Sequence, residues 1–289
     1  MSRAVPLPPD AERLSRLAGL LKATLPLNPL ATRPAGIFVT HILNDRVERH
    51  FERLRRESAP HVDWRLFHNT FSLADVAAGR SFIPRRVVDM RLRQAVGHGH
   101  FLAGFMDTLL IPLALLARRR HVWVMEYDVD FSGNWAPFFA QFAGLDADLL
   151  TTTLNTPDRD PNWAFWPGAV SPPGAQGVRT RAFMPVFRAS RRFLDLYRRQ
   201  IATGQWAGHY EFLLPTIARA GGLKVADLGG NGPFVASGLA GRNYRNTPND
   251  PDLGRGSFIF RPARNAYFAE APEQFDLPNL LYHPIKVSA

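Results

Sequence analysis

The chain has 289 residues, of which 46% are hydrophobic and 21% are charged. This composition is typical of a folded globular protein and excludes a disordered or low-complexity chain. The sequence contains no cysteine, which excludes disulfides, thiolate zinc sites and cysteine nucleophiles, so any metal must be held by oxygen and imidazole ligands. The formal net charge of +10 favours anionic partners such as phosphates, nucleic acid or lipid head groups.

Residues 1–35 are interpreted as a proline-rich N-terminal arm, and residues 36–289 as a single catalytic domain. Within the arm, the leucines of residues 10–25 share one helical face opposite basic residues, which predicts an amphipathic helix. Such a helix packs on its own domain or docks on a membrane surface. The apolar stretch 101–117 is too short to span a bilayer, and no secretory signal is evident. We therefore expect a cytoplasmic protein, with peripheral membrane contact as a further option.

Strand and helix patterns alternate from Gly36 onward. A strand begins there and is followed by a charged helical pattern at 45–57. The remaining strands are predicted at 62–67, 121–125, 147–154, 180–187, 223–228 and 257–261, and the remaining helices at 84–95, 104–118, 137–142, 190–202 and 209–220. Residues 155–176 are predicted to form a long loop rich in Pro, Gly and Trp. This alternation predicts an α/β fold.

Three acids follow the most apolar of these strands. The run at 122–125 leads directly into Glu126, Asp128 and Asp130 at alternate positions, which on a continuing strand would face the same side. Three carboxylates in one row repel one another, and a divalent cation offsets that repulsion. The row could instead be an exposed strand end paired with nearby arginines. Its place at the carboxyl edge of a sheet favours a ligand site.

An Asp-x-Asp motif directly after a buried strand resembles the metal site of the GT-A nucleotide-sugar glycosyltransferases. The resemblance extends from Gly36 to about Lys286. It implies a Rossmann-like fold with a mixed central sheet flanked by helices. It also implies that Asp128 and Asp130 hold Mn²⁺ or Mg²⁺ against the diphosphate of the donor. The extra acid leaves a second register open, in which Glu126 and Asp128 form the metal pair and Asp130 points toward the acceptor.

The resemblance implies roles for residues elsewhere in the chain. The turn after the first strand would contact the base and ribose of the nucleotide through Thr40, His41, Ile42 and Asn44. Glu211, in the first turn of a helix after a glycine, would be the general base of an inverting transfer. An acid at that position could equally serve only to stabilise the helix dipole.

Near the C-terminus, His283 and Lys286 resemble the basic pair that many GT-A enzymes return to the donor site. His283 would bind the metal and Lys286 the diphosphate, since imidazole suits manganese and lysine offers a point charge. The pair could also belong to a surface tail. The implied partners are a nucleotide-diphosphate sugar donor and a glycan or other hydroxyl acceptor.

Two other functions remain as alternatives. Asp128 and Asp130 followed by Ser132 also resemble an aspartate-nucleophile phosphohydrolase, although no downstream acidic pair is found. The basic charge, with aromatic residues at Trp163, Phe165 and Trp166 that could stack on bases, is compatible with a nucleic-acid-binding protein. Because the arginines are dispersed along the chain, nucleic acid is not the expected partner.

Overall fold

The computed structural model describes residues 32–42, 44–68, 96–97, 100–101, 104–245, 256–258, 267–268 and 272–286. Its strands are β1 (Ala35–Thr40), β2 (Asp63–His68), β3 (Val96–Gly97), β4 (His100–Phe101), β5 (His121–Glu126), β6 (Asp130–Phe131), β7 (Leu149–Asn155), β8 (Arg181–Ser190), β9 (Val225–Asp227), β10 (Tyr267–Phe268), β11 (Leu281–Tyr282) and β12 (Ile285–Lys286). Its α-helices are α1 (Asp45–Ser58), α2 (Asp107–Leu116), α3 (Trp135–Ala140), α4 (Arg191–Ile201) and α5 (Tyr210–Ala220). The helices predicted at 10–25 and 84–95 lie outside the described residues.

Six strands form one mixed sheet in the order β2-β1-β5-β8-β7-β9. Strand β1 is parallel to both β2 and β5, and β7 is parallel to β9. Strand β8 is antiparallel to its two neighbours, β5 and β7. Helices cover this sheet, so the prediction of an α/β fold with a mixed sheet flanked by helices is confirmed at this level.

The unbroken apolar sequence of β5 is explained by burial on both faces of the sheet. Val122 and Val124 belong to a core that also contains side chains of α2, α4 and α5. Trp123 and Met125 point the opposite way, into a second core with side chains of α1 and α3. A strand covered on both sides needs apolar residues at every position, which is why it shows no alternation.

The helix boundaries follow from local capping and backbone geometry. Helix α1 begins after Asn44, whose side chain accepts a hydrogen bond from the Val47 backbone N–H at 3.0 Å. Helix α4 begins in the same way after Ser190, which accepts from the Phe193 N–H at 3.0 Å. Helix α2 begins three residues later than predicted, because Gly104 has a φ of 96°, a left-handed conformation that an α-helix does not contain.

The predicted loop at 155–176 contains only short 3₁₀ segments, the first at Trp166–Gly168 and the second beginning at Pro173. It packs over the amino end of α5, where Val170 and Ala207 exchange backbone hydrogen bonds of 2.9 and 3.2 Å. Within the described ranges, no helix combines the length and the apolar character that crossing a bilayer requires.

Candidate metal centre

The candidate site lies where the strand order reverses. From β1 the chain passes through α1 to β2 on one side, and it later returns to place β5 on the other side of β1. The two strands are parallel, with Val39 opposite Glu126, so both carboxyl ends open at the same edge of the sheet. Open α/β sheets bind ligands in the crevice outside such a switch point.

Strand β5 ends at Glu126, and the chain turns at once. The Val129 N–H donates to the Glu126 carbonyl at 3.1 Å and closes a turn over Tyr127 and Asp128. Alternate residues share a face only on a continuous strand. The expected row of three carboxylates therefore does not form.

Two of the acids instead meet a histidine from the C-terminal region. Side-chain ligand atoms of Glu126, Asp128 and His283 all lie within 4.8 Å of one another. The His283 Nε2 atom is 3.6 Å from Asp128 Oδ1. Asp128 and His283 are buried, whereas Glu126 is partly exposed, so solvent reaches the group from the side of Glu126.

His283 lies next to Asp128 because the C-terminal region pairs with the acidic turn. Strand β11 is antiparallel to β6, with Leu281 opposite Phe131, and the Ile285 N–H donates to the Asp128 carbonyl at 2.8 Å. The imidazole itself packs against the ring of Phe183 at a centroid distance of 5.0 Å. Backbone contacts on either side of residue 283 and the ring contact with Phe183 therefore hold the histidine in place.

The group has the donor chemistry and the spacing of a divalent cation site. Carboxylate oxygens and an imidazole nitrogen suit Mn²⁺ and, for the oxygens, Mg²⁺. Ligand bonds of about 2.0–2.2 Å place neighbouring donors of an octahedral site about 3 Å apart and opposite donors about 4.4 Å apart. The observed separations need only a small contraction to reach those values. Two carboxylates also match the charge of the cation.

Asp130 lies outside this group. Its carboxylate forms an ion pair with Arg53 of α1 and lies 3.4 Å from Nδ1 of His50. Arg53 also donates to the Phe131 carbonyl at 3.0 Å, and His50 Nε2 lies 2.8 Å from the Val129 carbonyl. Asp130 thus anchors the acidic turn to α1. Of the two registers that the sequence left open, the structure brings together the residues of the Glu126 and Asp128 pair.

The Arg53 and His50 contacts were missed by sequence reasoning. Both residues lie in an ordinary charged helix, nearly 80 residues before the acid that they contact. Burial lowers the pKa of His50 below its ordinary value of 6.5, so its imidazole is neutral near pH 7. No local pattern in the sequence marks these two side chains as partners of Asp130.

The turn after β1 is only partly available to a nucleotide. The Thr40 hydroxyl accepts a hydrogen bond from the Ile42 N–H at 3.1 Å, and the Asn44 side chain caps α1. His41 is exposed, and its ring contacts the edge of Tyr127 at a centroid distance of 4.9 Å. The structure therefore brings His41 to the acidic turn. Lys286 is the last residue of β12, which begins directly beside Asp128 through the Ile285 hydrogen bond.

Glu211, in the first turn of α5, contacts β8, the neighbour of β5 in the sheet. Its Oε1 accepts a hydrogen bond from the Met184 N–H of β8 at 3.2 Å. Strand β8 is antiparallel to β5 and pairs Val186 with Met125, so Met184 lies beyond this last pair, toward the end of β5 that carries the acids. Electrostatic interaction with both Glu126 and Glu211 adds to burial in raising the pKa of the Tyr210 phenol. The two carboxylates therefore face a common region.

The environment of Glu211 favours its protonated form. The residue is buried, and burial raises its pKa to about 8, while Arg181 and the Met184 N–H act in the opposite direction. Its Oε2 lies 3.5 Å from Nδ1 of His209. That nitrogen accepts a hydrogen bond from the Glu211 N–H at 3.3 Å, so it caps α5. Such a poised carboxyl group is typical of general acids and bases.

An aromatic surface extends outward from His209. The exposed ring of Phe165 stacks on His209 with centroids 4.2 Å apart. Gly104 lies beneath the imidazole, since a Cβ at that position would come within 2.1 Å of His209. A cavity of about 590 Å³ adjoins this surface and is lined in part by Trp163 and Trp166. The sequence showed aromatic residues in this loop without indicating that they lie beside Glu211.

Comparison of the chain with models of known protein families gives no match, and comparison with curated protein sequences also gives none. The site must therefore be interpreted from its own geometry. Two of the three residues that carried the resemblance to phosphohydrolases are engaged in structural contacts, and the third, Asp128, belongs to the group with Glu126 and His283. Asp130 pairs with Arg53, and the Ser132 hydroxyl donates to the Leu277 carbonyl at 2.6 Å. No observation at the site favours that alternative.

Proposed function

We propose that this protein is a divalent-metal-dependent glycosyltransferase of the GT-A type. In this proposal it transfers a sugar from a nucleotide-diphosphate donor to a hydroxyl acceptor, with inversion at the anomeric carbon. One observation carries the proposal, namely the meeting of Glu126, Asp128 and His283 at the switch point of an α/β sheet. Two carboxylates and an imidazole at that place are suited to hold a cation for a diphosphate.

The proposed donor site combines this group with the turn after β1. Glu126, Asp128 and His283 would hold Mn²⁺ or Mg²⁺, which when bound supplies Lewis-acid stabilisation of charge on the leaving diphosphate. His41, exposed beside Tyr127, is suited to contact the nucleotide. Lys286 keeps its predicted role toward the diphosphate, and the return of β12 to Asp128 supports it.

Glu211 is proposed as the general base. As the acceptor oxygen bonds to the anomeric carbon and the bond to the diphosphate breaks, the hydroxyl proton passes to the Glu211 carboxylate. A pKa of about 8 means that the group must first lose its proton, so transfer should increase with pH through the neutral range. The Phe165 and His209 surface beside Glu211 would hold an apolar face of the acceptor.

Calorimetric titration with UDP and GDP, each with and without Mn²⁺, tests the donor site. We expect Mn²⁺-dependent binding of one nucleotide by the native chain, and its loss in Asp128→Asn. The matched control is Asp146→Asn, because Asp146 is an exposed acid paired with Lys224 and belongs to no part of this site. If Asp128→Asn and the control bind alike, the proposed donor site is wrong.

A second variant tests the base separately from the metal. Glu211→Gln should retain Mn²⁺-dependent nucleotide binding and lose roughly 10²–10⁴-fold in transfer. Nucleotide release from UDP-glucose, UDP-N-acetylglucosamine and GDP-mannose measures the reaction. Full activity of Glu211→Gln would remove both the base and the argument for inversion, while leaving the metal site in place.

A further inference from the structure

A second site lies at the opposite end of β5. There a cavity of about 700 Å³ opens between the start of the strand and the loop after α3. Five basic side chains line it, namely Arg33, His61, Arg120, His121 and Arg188. Its apolar wall includes Trp123, Phe139 and Phe142, and among the described residues Asp146 is its one acid.

Arg188 is a buried guanidinium whose hydrogen bonds go to uncharged groups. Only 3% of the residue is exposed. It donates to the carbonyls of Phe142 at 2.7 Å, Leu145 at 2.6 Å and Ala147 at 3.3 Å. Among the described residues no carboxylate pairs with it, and its Nε has no acceptor. Burial lowers its pKa to about 10. A buried cation without a counter-charge is costly to the fold, and a bound anion would offset that cost.

The nearby carboxylates are already paired with other cations. Asp146 accepts a hydrogen bond from Lys224 at 2.6 Å, and Asp148 accepts one from Arg192 at 2.6 Å. Asp148, Arg192 and Lys224 line an adjoining cavity of about 480 Å³, which shares Arg120, His121 and Asp146 with the first. Asp146 and Asp148 act on Arg188 only through space, raising its pKa, and within the described part of the chain neither forms an ion pair with it.

Two further residues add donors at the cavity wall. The Arg120 side chain is exposed and, within the described part of the chain, makes no hydrogen bond or ion pair. His121 is half-buried, and burial followed by the charges of Arg188 and Arg120 lowers its pKa to about 4, against the weaker opposing effect of Asp148 and Asp146. Its imidazole is thus neutral at pH 7 and can donate one N–H without adding charge.

We propose that this cavity binds the phosphoryl group of a small anionic ligand through Arg120, His121 and Arg188. A guanidinium presents a planar set of donors that matches phosphate oxygens, and more than one cation favours a group with more than one negative charge. The rings of Trp123 and Phe139 are placed to contact an apolar part of the ligand. The phosphoryl group could belong to a soluble metabolite or to a phospholipid head group.

This site is separate from the metal centre and does not depend on the proposed function. Strand β5 has six residues, which at about 3.3 Å each place its two ends roughly 17 Å apart. A diphosphate held by the metal group therefore cannot reach His121 at the same time.

Calorimetric titration with inorganic pyrophosphate in EDTA tests the inference without contribution from a metal. The native chain should bind, and Arg120→Gln and His121→Gln should each lose about tenfold in affinity. Both residues are partly or fully exposed, so these variants should fold, unlike changes at Arg188. The matched control is Arg198→Gln, which should bind pyrophosphate like the native protein. Arg198 is an exposed residue of α4 that does not line the cavity.

Vesicles distinguish the two sources of the phosphoryl group. Binding to phosphatidylglycerol but not phosphatidylcholine vesicles, in competition with pyrophosphate, would indicate a lipid head group, whereas pyrophosphate binding without vesicle binding would indicate a soluble ligand. Absence of pyrophosphate binding by the native chain overturns the inference, as does equal binding by Arg120→Gln, His121→Gln and Arg198→Gln. Either result would leave Mn²⁺-dependent nucleotide binding intact. Failure of the phosphoryl-site inference can therefore be told apart from failure of the proposed function.

Discussion

The two ends of β5 carry opposite charge. At the carboxyl end Glu126 and Asp128 meet His283, and at the amino end His121 lies with Arg120 and Arg188. Between them the strand is apolar and buried on both faces. The polar side chains of such a central strand lie where it leaves the core, so each end presents its own group of charges.

The two ends also differ in how their charges are balanced. The acid at the carboxyl side that cannot reach the metal group, Asp130, has Arg53 as a permanent partner. At the amino end the acids Asp146 and Asp148 are paired with other cations, and Arg188 is left with carbonyl acceptors. In our proposals the first region is completed by a cation and the second by an anion.

The largest expected effect appears when the variants of each site are tested in both assays, Mn²⁺-dependent nucleotide binding and pyrophosphate binding in EDTA. Asp128→Asn should weaken Mn²⁺-dependent nucleotide binding by about 100-fold or more, since it removes a ligand charge, and leave pyrophosphate binding in EDTA unchanged. Arg120→Gln should weaken pyrophosphate binding and leave Mn²⁺-dependent nucleotide binding unchanged. The ends are roughly 17 Å apart, and charges beyond about 10 Å are largely screened at 0.1 M salt. If either substitution weakens both kinds of binding, the two ends are not independent sites.

The anchoring of the acidic turn predicts the next effect, which is on stability. Arg53→Met removes the partner of the buried Asp130 carboxylate and should lower the free energy of unfolding by about 3–5 kcal/mol, measured by urea denaturation. Arg55→Met in the same helix is the control, because Arg55 is exposed and pairs with exposed Glu52, so little change is expected. Equal stability of the two variants would show that Asp130 does not anchor the turn.

The pH dependence of stability tests the environment of Glu211. Its pKa in the folded chain is about 8 against an ordinary value of 4.5, so between these values the folded state binds a proton that the unfolded state has lost. Stability should therefore fall as pH rises through this interval, by about 1.4 kcal/mol per pH unit from this group. Urea denaturation between pH 5 and 8 in EDTA should show this slope as the difference between the native chain and Glu211→Gln. Parallel curves would mean that Glu211 is ionised in the folded chain.

The smallest expected effect concerns Asp146. Asp146→Asn removes the one described acid that lines the amino-end cavity, and should strengthen pyrophosphate binding about twofold through reduced repulsion. Metal-dependent nucleotide binding should stay constant in the same variant. Weaker pyrophosphate binding would indicate that Asp146 itself holds the cavity in shape.

Much of the fold could be predicted from local sequence. The caps at Asn44 and Ser190 mark the first turns of α1 and α4, and the apolar run of β5 marks a strand covered on both sides. The acids that follow β5, Glu126 and Asp128, indicate the position of the candidate metal centre. These features could be predicted because capping, periodicity and burial depend on residues that are close together in the chain.

By itself, the sequence determined the six strands of the main sheet, the helices α1 to α5, the position of an acidic strand end and the presence of Glu211 in a first helical turn. Only the tertiary structure decided which acids meet His283 and which one pairs with Arg53, because a turn after Glu126 breaks the alternation of the strand. The amino-end cavity likewise forms only when β8 pairs with β5 and places Arg188 opposite Trp123. Charged side chains act across space on whatever lies near them, and the sequence order alone does not contain those distances.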